Sequence, residues 1–146
     1  MPSCAAPPCP TPLFDTIEHA LLTASRQTIP ARYQQEFDLT LRFLLSYRGS
    51  QATFNAYRRE LERFLQWCWT VRKCSLCKIK REDIETFIQF CQHPPISWRG
   101  LKQVPRFIVQ SGVRVANTQW RPFVATGNKT ADSTANSIEL TDFRLS

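Results

Sequence analysis

Apolar residues recur every three or four positions in four stretches of the chain, which is the spacing of an amphipathic helix. The four stretches are residues 13–26, 32–47, 50–68 and about 82–92. We expect Gly49 to end the second helix in a left-handed conformation, and Ser50 to cap the start of the third. The pattern predicts an all-α fold, an orthogonal bundle of three to four main helices.

The third predicted helix has the clearest two-sided pattern. Phe54, Leu61 and Leu65 fall on the side that we expect to be buried. At about 100° per residue, the opposite side collects polar and basic positions. These positions are Asn55, Arg59, Arg63 and Gln66. Arg58 falls at the edge of the apolar stripe, where its aliphatic stem can pack while its charge reaches water. The helix is therefore predicted to present a positively charged ridge.

The ends of the chain lack this periodicity. Residues 1–12 are rich in proline, which does not propagate a helix. Residues 98–123 are basic and aromatic but interrupted by glycine and proline, so we expect an irregular basic segment with a short helix within 101–110. The predicted organisation is a flexible lead at 1–12, a helical domain at 13–126 with its core at 33–92, and a linker at 127–146.

Basic residues are concentrated in the middle of the chain. The formal net charge is +7, and residues 48–121 hold fourteen of the nineteen Lys and Arg but five of the twelve Asp and Glu. Such a region suits a polyanion, because neutralising phosphates releases their condensed counterions. On charge alone, a well-solvated basic surface is an equally good interpretation.

One stretch of the third helix points to a family. Residues 50–68 read Ser-Gln-Ala-Thr-Phe-Asn-Ala-Tyr-Arg-Arg-Glu-Leu-Glu-Arg-Phe-Leu-Gln-Trp-Cys. They resemble the second helix of the N-terminal core-binding, SAM-like domain of tyrosine recombinases, especially the Xer group and phage integrases. In that helix a Thr is followed by Asn-Ala-Tyr-Arg-Arg, then by Leu, Phe and Trp. With the flanking helices the resemblance covers about 33–92, and more loosely 117–123, while the family's fourth helix is not evident.

The resemblance implies a DNA-binding domain that grips a recombination site in double-stranded DNA, with further recombinase protomers as partners in DNA integration. By position, its contacts would be Ser50, Gln51, Thr53, Asn55, Arg59 and Arg63. Further candidates are Arg48 before the helix, the basic loop residues Arg72, Lys73, Lys78, Lys80 and Arg81, and, beyond the loop, Arg99 and Lys102. A further basic strip comprises Trp98, Arg99, Lys102, Arg106, Arg114 and Arg121. Arg and Lys can bind phosphates, and Asn and Gln can pair with adenine edges. The alternative is that these residues simply face solvent.

The sequence offers no set of catalytic residues. The recombinase family uses arginines, a lysine, a His-x-x-Arg pair and a late nucleophilic tyrosine. Neither His19 nor His93 has an arginine three places on, and the tyrosines Tyr33, Tyr47 and Tyr57 all lie early in the chain. We therefore expect a chain that lacks the catalytic domain of its parent recombinase, is not an enzyme by itself and needs no cofactor.

Cysteine spacing gives little support for a metal site. Cys74 and Cys77 have ligand spacing, but tetrahedral zinc needs two further ligands and no second pair exists. We expect no metal. Cys68 and Cys91 follow helical spacing and are predicted to be buried, reduced thiols.

The chain has neither a membrane segment nor a leader pattern. No apolar run approaches the roughly 20 residues that a bilayer crossing needs, and the N-terminus lacks a cationic segment followed by an apolar one. We expect a cytoplasmic protein with no membrane partner. The alternative function is a small helical protein-interaction module whose basic surface meets an acidic protein.

Overall fold

Three α-helices form the centre of the computed structural model, which describes residues 8–21 and 29–124. Helix α1 is Gln34–Leu45, α2 is Gln51–Trp67 and α3 is Arg81–Gln92. Short 3-10 turns occur at Ile17–His19, Ala31–Tyr33, Leu76–Lys78 and Ile96–Trp98. A π-helical turn, Cys68–Arg72, extends the end of α2. The second, third and fourth predicted helices are confirmed.

The connection between α1 and α2 confirms one local prediction and corrects another. The Thr53 amide donates to Ser50 Oγ at 3.4 Å, so Ser50 caps α2 as expected. Gly49 is not left-handed; among the described residues, positive φ angles occur at Lys73, Ser111 and Gly112. The chain leaves α1 through successive turns instead, with the Arg48 amide donating to the Leu45 carbonyl at 3.1 Å. No left-handed residue is needed to end that helix.

Aromatic side chains join the elements of the core. Phe14 stacks on Phe37 of α1, with ring centroids 5.0 Å apart and planes at 8°. Trp67 of α2 packs against Phe87 of α3 at 5.5 Å. All four rings are buried. Burying each ring contributes about 1.5–3 kcal/mol, so these pairs fix the N-terminal segment to α1 and α2 to α3.

The predicted first helix at 13–26 is wrong in its described part. Only the 3-10 turn Ile17–His19 is helical there. The amides of Leu13 and Phe14 donate to Oε2 of Glu62 at 2.6 and 3.3 Å. Because a carboxylate on α2 binds these amides, the apolar side chains reach the core from a non-helical backbone.

The described end of the predicted lead lies against the helices. Pro10 and Pro12 are buried, and the carbonyl of Thr11 accepts a hydrogen bond from Gln66 Nε2 at 2.8 Å. The parts of the predicted lead, first helix and linker that lie outside the described residues are 1–7, 22–26 and 127–146.

The segment after α3 contains four short strands, so the fold is not purely all-α. The strands are β1, Arg99–Gly100; β2, Phe107–Gln110; β3, Val113–Ala116; and β4, Phe123–Val124. β2 and β3 form an antiparallel hairpin, and β1 pairs in parallel with β4. Ser111 and Gly112 have φ angles of 53° and 77°, and two such residues make a turn that suits the twist of a hairpin. The short helix expected within 101–110 is therefore wrong.

Candidate nucleic-acid interface

The predicted DNA contacts at the start of α2 lie close together. Arg48, Ser50 and Gln51 are exposed, and Thr53 and Asn55 are half-buried. Ser50 Oγ lies 3.0 Å from Thr53 Oγ1 and also accepts the Thr53 amide, so capping occupies this hydroxyl. Gln51 and Asn55 are four residues apart and share one side of the helix. The helix dipole adds positive potential at this end.

The loop between α2 and α3 presents a second group of cations. Besides Arg72, which contacts Asp83, its exposed residues from the predicted set are Lys73, Lys78, Lys80 and Arg81. None of these four forms an ion pair within the part of the chain that the structure describes. Their charges are therefore available to a partner, and the four side chains lie within nine residues of one another in the chain.

Asp83 fixes the end of this loop to the first turn of α3. Its Oδ2 accepts the Lys80 amide at 2.9 Å, and its Oδ1 lies 3.0 Å from Arg72 Nε. The hydrogen bond from the Lys80 amide, followed by the contact with Arg72, lowers the pKa of Asp83. A carboxylate in the first turn also complements the helix dipole.

Glu36 of α1 holds the other side of the same loop. One carboxylate oxygen accepts Trp69 Nε1 at 2.8 Å, and the other accepts the Leu76 amide at 2.9 Å. The loop is thus anchored at both ends, and its cations project from a backbone with defined positions.

Arg63 does not lie on an exposed ridge, so that prediction is wrong. Its side chain is 4% exposed, its Nε and Nη2 donate to the Pro122 carbonyl at 3.2 and 3.0 Å, and its guanidinium lies 4.2 Å from the centre of the Phe123 ring. Gln66, expected on the same side, is also buried. Arg59 retains 33% exposure of its side chain and contacts Glu60. The chain around β4 covers Arg63, and the N-terminal segment at Thr11 contacts Gln66, on the side of α2 that periodicity assigned to solvent.

The basic strip predicted after α3 is not one surface. Arg99 and Lys102 are exposed, and Arg99 Nε donates to the Pro94 carbonyl at 2.8 Å. Trp98 is fully buried. Arg121 is half-buried and donates to two nearby carbonyls. Of the strip, Arg99 and Lys102 are the exposed cations, whereas Arg106 and Arg114 pair with carboxylates.

A buried cluster of charges was not foreseen from the sequence. Arg114 makes a bidentate contact with Asp15, with both nitrogen–oxygen distances at 2.6 Å, and Arg106 Nε lies 3.0 Å from Glu62 Oε1. Arg58 is 9% exposed and donates to the Asp15 carbonyl oxygen at 2.9 Å. The expectation that its charge reaches water is therefore wrong. Burial, and then the charge of Arg106, lower its pKa to about 10. The partners come from distant parts of the chain, so periodicity could not pair them.

One exposed cation precedes α2, and the other seven follow it in the chain. Eight of the fourteen basic residues in 48–121 are exposed: Arg48, Arg72, Lys73, Lys78, Lys80, Arg81, Arg99 and Lys102. Helix α2 has 17 residues, which at about 1.5 Å per residue gives a length of about 26 Å. The start of α2 and the loop after it therefore lie about that far apart.

The described cysteines do not assemble a metal site. Cys74 is half-buried, Cys77 is exposed, and no group of three or more possible ligands occurs in the described ranges. Cys68 and Cys91 are buried, which confirms that prediction. Burial is the main cause that raises the pKa of Cys68 to about 12. Within the described residues, no helix combines the length and apolarity that spanning a bilayer requires.

Comparison with known proteins gives one finding. Residues 37–102 match the family model described as phage integrase, N-terminal SAM-like domain. The matched segment begins in α1, includes all of α2 and α3, and ends just after β1. No curated protein and no solved structure matched the chain.

Proposed function

Because residues 37–102 match the family model described as phage integrase, N-terminal SAM-like domain, we propose that this chain binds double-stranded DNA as the core-binding domain of a site-specific tyrosine recombinase. The family match carries the proposal. It confirms the resemblance found in the sequence, while the closer similarity to the Xer group stays a prediction. Binding without strand cleavage, assembly with other recombinase protomers and a cytoplasmic location are parts of the same proposal.

The exposed cations support this role. Arg48 and the lysines of the loop after α2 lie on the surface with their charges facing solvent. Arg and Lys that contact phosphates position a protein on the duplex, whereas side chains such as Gln51 and Asn55 can contact base edges. The separation of about 26 Å along α2 corresponds to about eight base pairs at roughly 3.4 Å each. A duplex that lay along α2 would cover this distance in less than one helical turn.

A salt titration of binding to duplex DNA tests the proposal. About five phosphate contacts predict a slope of about −4.5 for log K against log salt, which is a loss of about 500-fold between about 50 and 200 mM. The variant K78Q/K80Q removes two exposed cations and is expected to reduce the slope by about 1.8.

A matched pair of arginine variants makes the test local. Arg42 and Arg48 are both exposed and lie near the end of α1, but only Arg48 belongs to the proposed interface. R48Q is expected to weaken duplex binding, and R42Q to leave it within about twofold, because an exposed charge that contacts no phosphate adds little. No duplex binding at low salt, or equal effects of the two variants, would count against the proposed interface. The first result would favour an acidic protein as the partner.

A further inference from the structure

A cavity of about 370 Å³ lies beside the buried charge cluster. Side chains from the N-terminal segment, α2 and the hairpin region line it, and those that matter here are Asp15, Thr16, Arg58, Gln103, Arg106 and Arg114. Ligand sites commonly occupy about 300–1,000 Å³, so the cavity is large enough for a small group. One lining residue, Gln103, directly follows Lys102, a candidate DNA contact, in the chain.

The arginines of this cavity have donors to spare. Arg106 uses Nε for Glu62 and places its guanidinium 5.3 Å from the centre of the Trp120 ring. Its Nη1 and Nη2 make no hydrogen bond with any described residue. Arg114 uses Nε and Nη2 for Asp15 and leaves Nη1 in the same condition. Guanidinium donors of this kind bind planar or tetrahedral oxyanions well.

Three arginines contribute charge around the cavity. Arg106 and Arg114 pair with the carboxylates of Glu62 and Asp15, Arg58 donates to the Asp15 carbonyl oxygen, and the charge of Glu18 also acts on Arg114. Both carboxylates also accept backbone amides, Thr16 to Asp15 at 2.7 Å being one example. Arg58 is nine-tenths buried, and its Nε has no hydrogen-bond partner. Burial and then the charge of Arg106 lower the pKa of Arg58, while the charges of Glu62 and Asp15 raise it.

We infer that this cavity binds a phosphate group, supplied either by a phosphodiester of the DNA backbone or by a free phosphate. Arg106 and Arg114 supply the hydrogen-bond donors that no described residue uses. Three of the residues that build the site, Asp15, Arg106 and Arg114, lie outside the segment 37–102 that matches the family. The DNA source rests on the proposed function, whereas the free-phosphate source does not.

Gln103 offers a test that spares the ion pairs. Its side chain lines the cavity, it is exposed, and it forms no hydrogen bond within the described part of the chain. A carboxylate there competes for the spare arginine donors, so Q103E is expected to weaken phosphate binding at least about tenfold, and Q103K to strengthen it. The matched control is Q89E, on the exposed side of α3 that also carries Glu82 and Glu85. It is expected to change phosphate affinity less than about twofold.

The experiment uses the full chain and two titrations. Calorimetry with sodium phosphate, against sodium chloride at equal ionic strength, measures the cavity directly. Duplex binding by the same proteins identifies the source of the phosphate. If Q103E, but not Q89E, lowers the affinity for duplex DNA, the source is the DNA backbone. If Q103E leaves the duplex affinity unchanged, the source is a free phosphate. Either result supports the cavity, provided that Q103E weakens and Q103K strengthens phosphate binding.

Two results would overturn the inference. One is the absence of phosphate binding by the wild-type chain at about 10 mM phosphate, where even a millimolar site would be filled. The other is equal phosphate binding by the wild type, Q103E and Q103K. A wild-type chain that binds phosphate but does not bind duplex DNA would refute the proposed function and leave the cavity supported.

Discussion

Replacing Arg63 by methionine tests whether the middle of α2 belongs to the proposed DNA interface or to the core. The side chain of Arg63 is 4% exposed, and two of its nitrogens donate to the Pro122 carbonyl at 3.2 and 3.0 Å. Its guanidinium also lies 4.2 Å from the centre of the Phe123 ring. These contacts join α2 to the start of β4, which lies 59 or more residues further along the chain.

The expected loss of stability follows from these contacts. A hydrogen bond to a charged group contributes about 1.5–3 kcal/mol, and a partly desolvated cation–π contact about 0.5–2 kcal/mol. Methionine restores some packing but leaves the buried Pro122 carbonyl without its donor. We expect R63M to lower the free energy of unfolding by about 2–4 kcal/mol, which lowers Tm by about 6–12 °C for a chain of this size.

Urea and thermal unfolding measure the effect, and duplex binding below the transition completes the test. R59M is the matched control on the same helix, because the Arg59 side chain is 33% exposed and lies 3.4 Å from Glu60 Oε2. It is expected to cost less than about 1 kcal/mol. Folded R63M should bind duplex DNA within about twofold of the wild type. A variant of unchanged stability that loses DNA affinity would refute this account of Arg63.

Three further predictions concern other groups. E62Q should lower stability by about 3–5 kcal/mol in urea unfolding, because it leaves the charge of Arg106 and two buried amides poorly compensated; an unchanged midpoint would contradict the structure. The folded pKa of Asp83 is lowered, so the unfolded chain binds more protons near pH 4, and the contribution of Asp83 to stability is lost as pH falls through that range. D83N should therefore flatten the acid side of the stability profile measured by thermal unfolding, and an unaltered profile would exclude this role. In alkylation at pH 8 followed by peptide mapping, exposed Cys77 should react well before Cys68, whose pKa burial raises to about 12; comparable rates would show that Cys68 is accessible.

The three main helices could be predicted because their signals are local. Spacings of three and four between apolar residues place α1, α2 and α3 close to their observed bounds, and the Ser50 cap depends on a residue three positions away. The first predicted helix fails for the opposite reason. Phe14 has helical spacing to its apolar neighbours, but the amides at this point bind Glu62, which lies 48 residues away in the chain.

The sequence contains a signal for the hairpin that the prediction of an irregular segment did not take into account. Ser111-Gly112 stands between two runs that are rich in β-branched residues, Phe-Ile-Val-Gln and Val-Arg-Val-Ala. A two-residue turn with glycine between such runs favours a hairpin. The many prolines and glycines around it favoured an irregular interpretation instead.

The contacts of the segment after α3 change what the charge of the chain means. Net charge and helical periodicity treat every arginine on the polar side of a helix as available to DNA, but the chain beyond β1 covers part of α2. Arg63 donates hydrogen bonds to the Pro122 carbonyl, and Arg106 forms an ion pair with Glu62. A fragment restricted to 37–102 would therefore expose a buried arginine and a buried carboxylate, and removing the partner of a buried charge is costly. Buried charges of α2 are therefore satisfied in part by residues beyond the segment that matches the family.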